Sequence, residues 1–137
     1  MKNILILCTG NSCRSQIAHG FLNHFTDNSF SIFSAGIEKH GLNKNAVKSM
    51  ADIGIDISHH TSNLIDEYKD EKFDFIITVC DNANETCPVL PNSNGKKIHK
   101  NFTDPSKLKG TEDEIKAAFR KTRAEIKEYC EVLATQF

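Results

Sequence analysis

The sequence predicts a single α/β domain over residues 1–137, a doubly wound parallel sheet of about four strands flanked by helices. Three observations predict it. Asn3–Leu7 is a continuous aliphatic run, and Phe73–Val79 is rich in β-branched and aromatic residues; both patterns suit buried strands. Segments whose apolar residues recur at helical spacing alternate with these runs. The composition, 39% apolar and 26% charged over 137 residues, is that of one globular domain able to bury a real core.

The elements follow in order. After the polar turn Thr9–Ser12, the residues Ile17, Ala18, Phe21, Leu22 and Phe25 mark a helix from about Ser15 to Thr26. Phe30–Ala35 reads as a strand closed by Gly36. Asn43 can cap a helix that turns Ala46, Val47, Met50 and Ile53 to the core, with Gly54 beyond its end. Thr61 or Ser62 opens a short helix around Leu64–Tyr68. A polar, proline-punctuated stretch from Cys80 to Pro91 follows the strand Phe73–Val79, and a short strand is expected near Lys97–His99. Thr111-Glu112-Asp113-Glu114 fits a capping box. Behind it Ile115, Ala118, Phe119, Ile126, Cys130 and Leu133 form one apolar stripe. Right-handed crossovers would place reactive groups at the carboxyl ends of the strands.

Charge and cysteine usage narrow the function. A net charge of −1 argues against a nucleic-acid or membrane-surface binder. No apolar run approaches the roughly 20 residues that span a bilayer. The run Ile4–Leu7 is too short for a secretory core, so a cytoplasmic protein is expected. In that reducing compartment five cysteines suggest chemistry before crosslinks.

Cys8-Thr9-Gly10-Asn11-Ser12-Cys13-Arg14-Ser15 joins a strand to a helix with the spacing Cys, five residues, Arg. A loop of this length can turn its amides inward around an oxyanion, and the following helix adds its positive end. Gly10 permits backbone geometry that a side chain would obstruct. Arg14 can hold two oxygens at once, and the same donors are expected to lower the Cys8 pKa. Ser15 can donate to that sulfur. Cys8 is thus the expected nucleophile, beneath an oxyanion held by Thr9, Gly10, Asn11, Ser12, Cys13, Arg14 and Ser15. A Walker-type loop is excluded, since no Gly-Lys-Ser/Thr is present.

Cys80 ends the strand Phe73–Val79, and a parallel sheet can bring it to the edge that carries Cys8. Cys87 follows seven residues later. Cys80, Cys87, His59, His60 and His99 could in principle supply thiolate and imidazole ligands to zinc. Without a tight Cys-x2-Cys pair, and with the histidines scattered, no metal is expected, and His59 and His60 read as exposed loop residues. Asp104-Pro105 is a turn whose carboxyl group can serve as a general acid. Cys130 is read as core packing.

With these residues the sequence resembles the thioredoxin-coupled arsenate reductases, which share the fold of low-molecular-weight protein tyrosine phosphatases. The resemblance rests on Cys8 to Gln16, Ser34-Ala35-Gly36-Ile37-Glu38 with His40-Gly41, and Asp56-Ile57-Ser58 with His60-Thr61-Ser62. It continues through Cys80, Cys87-Pro88, Leu90-Pro91 and Asp104-Pro105. It implies a triple-cysteine relay without a bound cofactor. Cys8 attacks arsenate, with Arg14 holding the oxygens and Asp104 assisting the leaving group. Cys80 attacks the adduct and releases arsenite, Cys87 attacks Cys80, and thioredoxin reduces the Cys80–Cys87 disulfide. A monomer is expected. Some family members bind potassium through carboxylates at positions filled here by His19 and Asn63, so no potassium site is expected. His99-Lys100-Asn101 stands where His-Trp-Gly is common. A phosphotyrosine phosphatase and a non-enzymatic oxyanion-sensing module are the alternatives; the phosphatases usually carry an aromatic residue after Asp-Pro, where this chain has Ser106.

The spacing of Cys80 and Cys87 carries a prediction of its own. In a helix the two would share a face but lie about 10 Å apart along the axis, beyond the roughly 7 Å between Cα atoms that a disulfide tolerates. The segment is therefore expected to unwind when the bond forms. Amide hydrogen exchange on the reduced and the Cys80–Cys87-oxidised protein should differ across residues 80–91; equal protection would mean a static loop.

Overall fold

A computed structural model describes residues 2–81 and 96–137. The elements are β1 (Lys2–Cys8), α1 (Arg14–Phe25), β2 (Phe30–Gly36), α2 (Lys44–Ala51), β3 (Phe75–Thr78), β4 (Lys96–His99) and α3 (Glu112–Ala134). Short 3-10 turns occupy Ile65–Tyr68 and Pro105–Lys107. The four strands pair in the order β2-β1-β3-β4, all parallel. The order reverses at β1, whose neighbours are the strands that follow it in opposite directions. In open α/β sheets that switch point is where a crevice forms beyond the strand ends.

The aliphatic run in β1 is buried as its sequence requires: Ile4, Leu5, Ile6 and Leu7 have no solvent exposure. α1 packs on β1 and β2 and against α3, which also meets α2. Phe21 and Leu22 from α1 and Phe119, Ile126, Cys130 and Leu133 from α3 fill the space between. Each such side chain contributes about 1.5–3 kcal/mol by leaving water, so this face dominates the stability of the sheet's cover. Cys130 is a packing residue; burial pushes its thiol up to about 12.

Local signals account for the ends of the helices. The Asn43 side chain accepts from the amides of Asn45 and Ala46, which starts α2. Thr111 and Glu114 form the expected reciprocal cap of α3. Three expectations are corrected. α2 stops at Ala51, so Ile53 is exposed, while Ile57 reaches the core from the loop beyond Gly54. The 3-10 turn begins after Leu64, whose amide is held by the Glu67 carboxylate at 2.6 Å; Thr61 and Ser62 are not its caps. Thr122 joins the buried stripe of α3, whereas Ile115 and Ala118 sit at its margin.

Gly36 ends β2 opposite Cys8 in the register. A Cβ there would lie 2.4 Å from the Glu38 carbonyl oxygen, 2.8 Å from that of Thr9 and 2.9 Å from the Asn11 amide nitrogen. All three are backbone atoms, which cannot rotate away. Gly36→Ala is therefore expected to cost about 1–3 kcal/mol, the usual scale of overpacking, and to weaken phosphate binding because it displaces the loop after β1. Thermal unfolding and a phosphate titration check both effects; a variant with unchanged stability and affinity would show that the contact relaxes freely.

Candidate active site

The loop between β1 and α1 is held from outside by its carbonyls. The Cys8 oxygen accepts from the Ile37 amide at 3.3 Å, Thr9 from Glu38 at 2.8 Å and Gly10 from His40 at 3.0 Å. The Gly10 oxygen also accepts from the Ser62 hydroxyl at 3.1 Å. Asn11 O accepts from Gln16 Nε2 at 3.0 Å, Ser12 O from the Asn43 amide at 2.9 Å, and Cys13 O from the Ile17 amide at 2.9 Å. Successive carbonyls from Cys8 to Cys13 are thereby taken by groups outside the loop. Carbonyls directed outward turn the loop's amides the opposite way, at the N-terminus of a 12-residue helix. That is the polarity of an anion nest.

Asn11 makes this path possible. It is fully buried, and among the described residues it is the non-glycine position with positive φ, at 49°. Asparagine tolerates that region better than most residues. Its Oδ1 accepts from Gln16 Nε2 at 3.0 Å and from the Asn63 amide at 2.9 Å, while Nδ2 donates to Ser15 Oγ at 2.9 Å. Sequence reasoning gave the conformational role to Gly10; the structure assigns it to Asn11. At Gly10 a Cβ would come within 2.2 Å of the His40 ring, an exposed side chain that would have to move aside.

Arg14 is 9% exposed and lies across the cradle. Nη1 donates to the Phe102 carbonyl at 2.9 Å and Nη2 reaches Asp104 Oδ2 at 3.5 Å. Nε is buried and has no acceptor among the described residues, a donor left for a ligand oxygen. Asp104 Oδ1 accepts from the Ser106 amide at 3.0 Å and the Ser106 hydroxyl at 2.6 Å. Oδ2, on the Arg14 side, is the oxygen that can meet a substrate.

Cys8 and Cys80 are both buried, and they lie near enough for the Cys80 side chain to raise the pKa of Cys8. The parallel register explains the meeting. Leu7 pairs with Thr78, so both strands end together at the same edge. On its other side the Cys80 sulfur lies 3.2 Å from the Thr9 hydroxyl. The expected acidification of Cys8 is corrected. The hydrogen bond with Cys80 and burial raise its pKa, against the downward pull of the Arg14 guanidinium and the Thr9 amide. Cys13, at the N-cap of α1, is pushed up to about 12 by burial and by the Asp104 carboxylate, and it stays a neutral thiol beside the nucleophile. Cys87 and the expected unwinding of its segment lie outside the described residues.

Several site residues escaped the sequence reading. Gln16, Ser62, Asn63 and His40 hold the cradle from behind. His60, read as an exposed loop residue, is half-buried, pairs with Gln16 Oε1 at 3.0 Å and stacks on His19 with ring centroids 4.4 Å apart. Burial and the neighbouring histidines hold the His19 pKa down, to about 3. His19 pairs with Ser34 at 2.8 Å, and the Asn63 side chain with Thr61 and Glu67. With no carboxylate at either position and Asn11 Oδ1 already accepting two donors, these residues do not fit a potassium ion. His99 pairs with the Thr78 hydroxyl and the Asp81 carboxylate.

A family model described as low molecular weight phosphotyrosine protein phosphatase matches residues 3–137. An arsenate reductase of Halalkalibacterium halodurans is 49% identical over 125 residues, covering 91% of this chain and 89% of the relative. One of Bacillus subtilis is 46% identical over the same shares of each chain. Among solved structures, an arsenate reductase in its oxidised state superimposes with a TM-score of 0.81 at 27% identity, covering 99% of this chain and 98% of that one. Vibrio vulnificus Wzb in complex with benzylphosphonate, at 20% identity and a TM-score of 0.82 over 99% of both chains, shares the fold.

The electrostatics of the thiol pair give a pH prediction. Cys80→Ala removes the largest influence that raises Cys8 and leaves burial opposed by Arg14 and the Thr9 amide. The pH midpoint for alkylation of Cys8, followed by mass spectrometry, is expected to move downward. A midpoint that stays put or rises would show that Cys80 does not set the ionisation of Cys8.

Proposed function

This chain belongs to the low molecular weight phosphotyrosine protein phosphatase family, and from that premise we propose that it reduces arsenate to arsenite by a relay of Cys8, Cys80 and Cys87. The single observation that carries the reading is the second thiol at the cradle: Cys80 is buried beside Cys8, its sulfur 3.2 Å from the Thr9 hydroxyl, where hydrolysis of a phosphate ester needs only one sulfur. The relatives named arsenate reductases support it.

In the proposed reaction arsenate lies in the nest of loop amides, with Arg14 Nε donating to one oxygen. The Cys8 thiolate attacks arsenic, and Asp104 Oδ2 delivers a proton to the departing oxygen, which leaves as water. Cys80 then attacks the Cys8 sulfur. The new S–S bond forms as the S–As bond breaks, and its electron pair stays on arsenic. Two thiols lose two electrons and As(V) becomes As(III), so the step needs no other oxidant or reductant. Exchange with Cys87 moves the disulfide outward, where thioredoxin supplies the dithiol that restores the enzyme. Cys130 packs in the core, its sulfur 3.9 Å from the Ala18 carbonyl, and has no part in the relay.

The test is arsenite formation with thioredoxin, thioredoxin reductase and NADPH present. The chain is expected to turn over. Cys8→Ser should make no arsenite yet still bind phosphate, and Cys80→Ser should stop turnover after the first attack. Asp104→Asn should slow the chemical step on the order of 10²-fold, the scale of a lost general acid. Phosphate-ester cleavage without arsenite would make the chain a phosphatase, and reversible oxyanion binding alone an oxyanion sensor.

A further inference from the structure

The residues that leave β4, His99-Lys100-Asn101, take no part in the chemistry above, yet each is engaged. His99 Nδ1 pairs with the Thr78 hydroxyl at 2.7 Å, and Nε2 with Asp81 Oδ1 at 2.7 Å. Asn101 Oδ1 accepts from the Asp81 amide at 3.1 Å. The Lys100 ammonium lies 5.8 Å from the ring centre of Phe102 and 5.7 Å from that of Tyr129. Its amide donates to the Thr78 carbonyl at 3.0 Å, and the Phe102 amide to that of Val79 at 3.1 Å. The Phe102 carbonyl in turn receives Arg14 Nη1.

Asp81 is the residue directly after Cys80, and it is exposed. An exposed residue just beyond the end of a strand would ordinarily fray. Here three contacts oppose that: the His99 ring on its carboxylate, the Asn101 oxygen on its amide, and the buried Thr78 hydroxyl behind the His99 ring. The ring is thus fixed at both nitrogens, one on a core residue and the other on Asp81. The Cys80 sulfur, one residue back, is held on its far side by Thr9.

We infer that Asp81, His99 and Asn101 form a clasp that holds the end of β3 and so positions the Cys80 sulfur against Cys8. These are positioning residues; none touches the reacting atoms. The inference rests on the reductase reading, because a phosphatase has no use for a fixed second thiol. Its energetic logic is that of orientation. Sulfur–sulfur attack is steeply dependent on alignment, and a displacement of about 1 Å can cost on the order of 10²-fold in rate. The same short segment supports Arg14 through the Phe102 carbonyl, so both sides of the cradle hang on the exit of β4.

The test uses the full chain in a single turnover with no thioredoxin, following arsenite released per protein, beside a phosphate titration of each variant. Asp81→Ala and Asn101→Ala are expected to slow release by about tenfold to a hundredfold, with phosphate affinity close to that of the parent. Asp81→Asn keeps an acceptor for His99 and the same backbone amide, and it should restore a rate near the parent's. Parent-like release from both alanine variants would overturn the clasp. So would a loss of phosphate affinity in step with the loss of rate, which would mean general damage to the cradle. A parent chain that releases no arsenite would instead refute the reductase reading on which the clasp depends.

Discussion

A loop that is to offer its amides to an anion must first dispose of its carbonyls, and this constraint organises the molecule. A buried carbonyl without a donor costs about 1–3 kcal/mol. The successive carbonyls from Cys8 to Cys13 would therefore be prohibitive if left unpaired. The donors that satisfy them come from the exit of β2, from Ser62, from Gln16 in α1 and from the cap of α2. Much of the chain between Gly36 and Asn63 can be understood as a scaffold that supplies those donors. Asn11 in its left-handed conformation is the turn that lets the loop face both ways. Its four side-chain and carbonyl contacts to Ser15, Gln16 and Asn63 offset the backbone cost.

A cradle built in this way is prepared for charge before any substrate arrives, which is the condition for electrostatic catalysis without reorganisation. The thiol beneath it is less simply prepared. Arg14 and the Thr9 amide favour a Cys8 thiolate, while burial and the Cys80 sulfur oppose it. Bringing a second thiol close enough to resolve an adduct thus makes the first harder to ionise fully.

The legible and illegible parts of the sequence divide on range. β1, α1, α2 and the cap of α3 were legible because aliphatic runs, helical spacing and the side chains of Asn43, Thr111 and Glu114 act within a few residues. The meeting of Cys8 and Cys80 was legible one step further out, since parallel strands beside each other end at a common edge. The contacts that hold the cradle were not. His40 over Gly10 spans 30 positions, Gln16 to Thr61 spans 45, and Arg14 to Phe102 spans 88. No local pattern marks such partners. His60 was misread for the same reason: its burial is conferred by His19 and Gln16 on another element. The raised Cys8 escaped because the cradle's donors are visible in sequence, whereas the burial and sulfur contact that oppose them appear only once the sheet is assembled.

The same considerations separate two chemistries that one cradle can host. Loop amides, Arg14 and the Asp104 carboxyl would serve phosphoryl transfer and arsenate attack alike, since both begin with a sulfur attacking a tetrahedral oxyanion. What differs lies at the mouth and on the neighbouring strand. At the mouth, the residue after Asp104-Pro105 is Ser106, whose amide and hydroxyl both turn back onto Asp104 Oδ1. It fixes the acid but offers no ring on which an aromatic substrate could stack. On the neighbouring strand, a buried thiol, Cys80, follows β3 near Cys8, and the exit of β4 supplies residues that bond to the next position along. A small oxyanion needs no platform, but its reduction needs a second sulfur in fixed alignment.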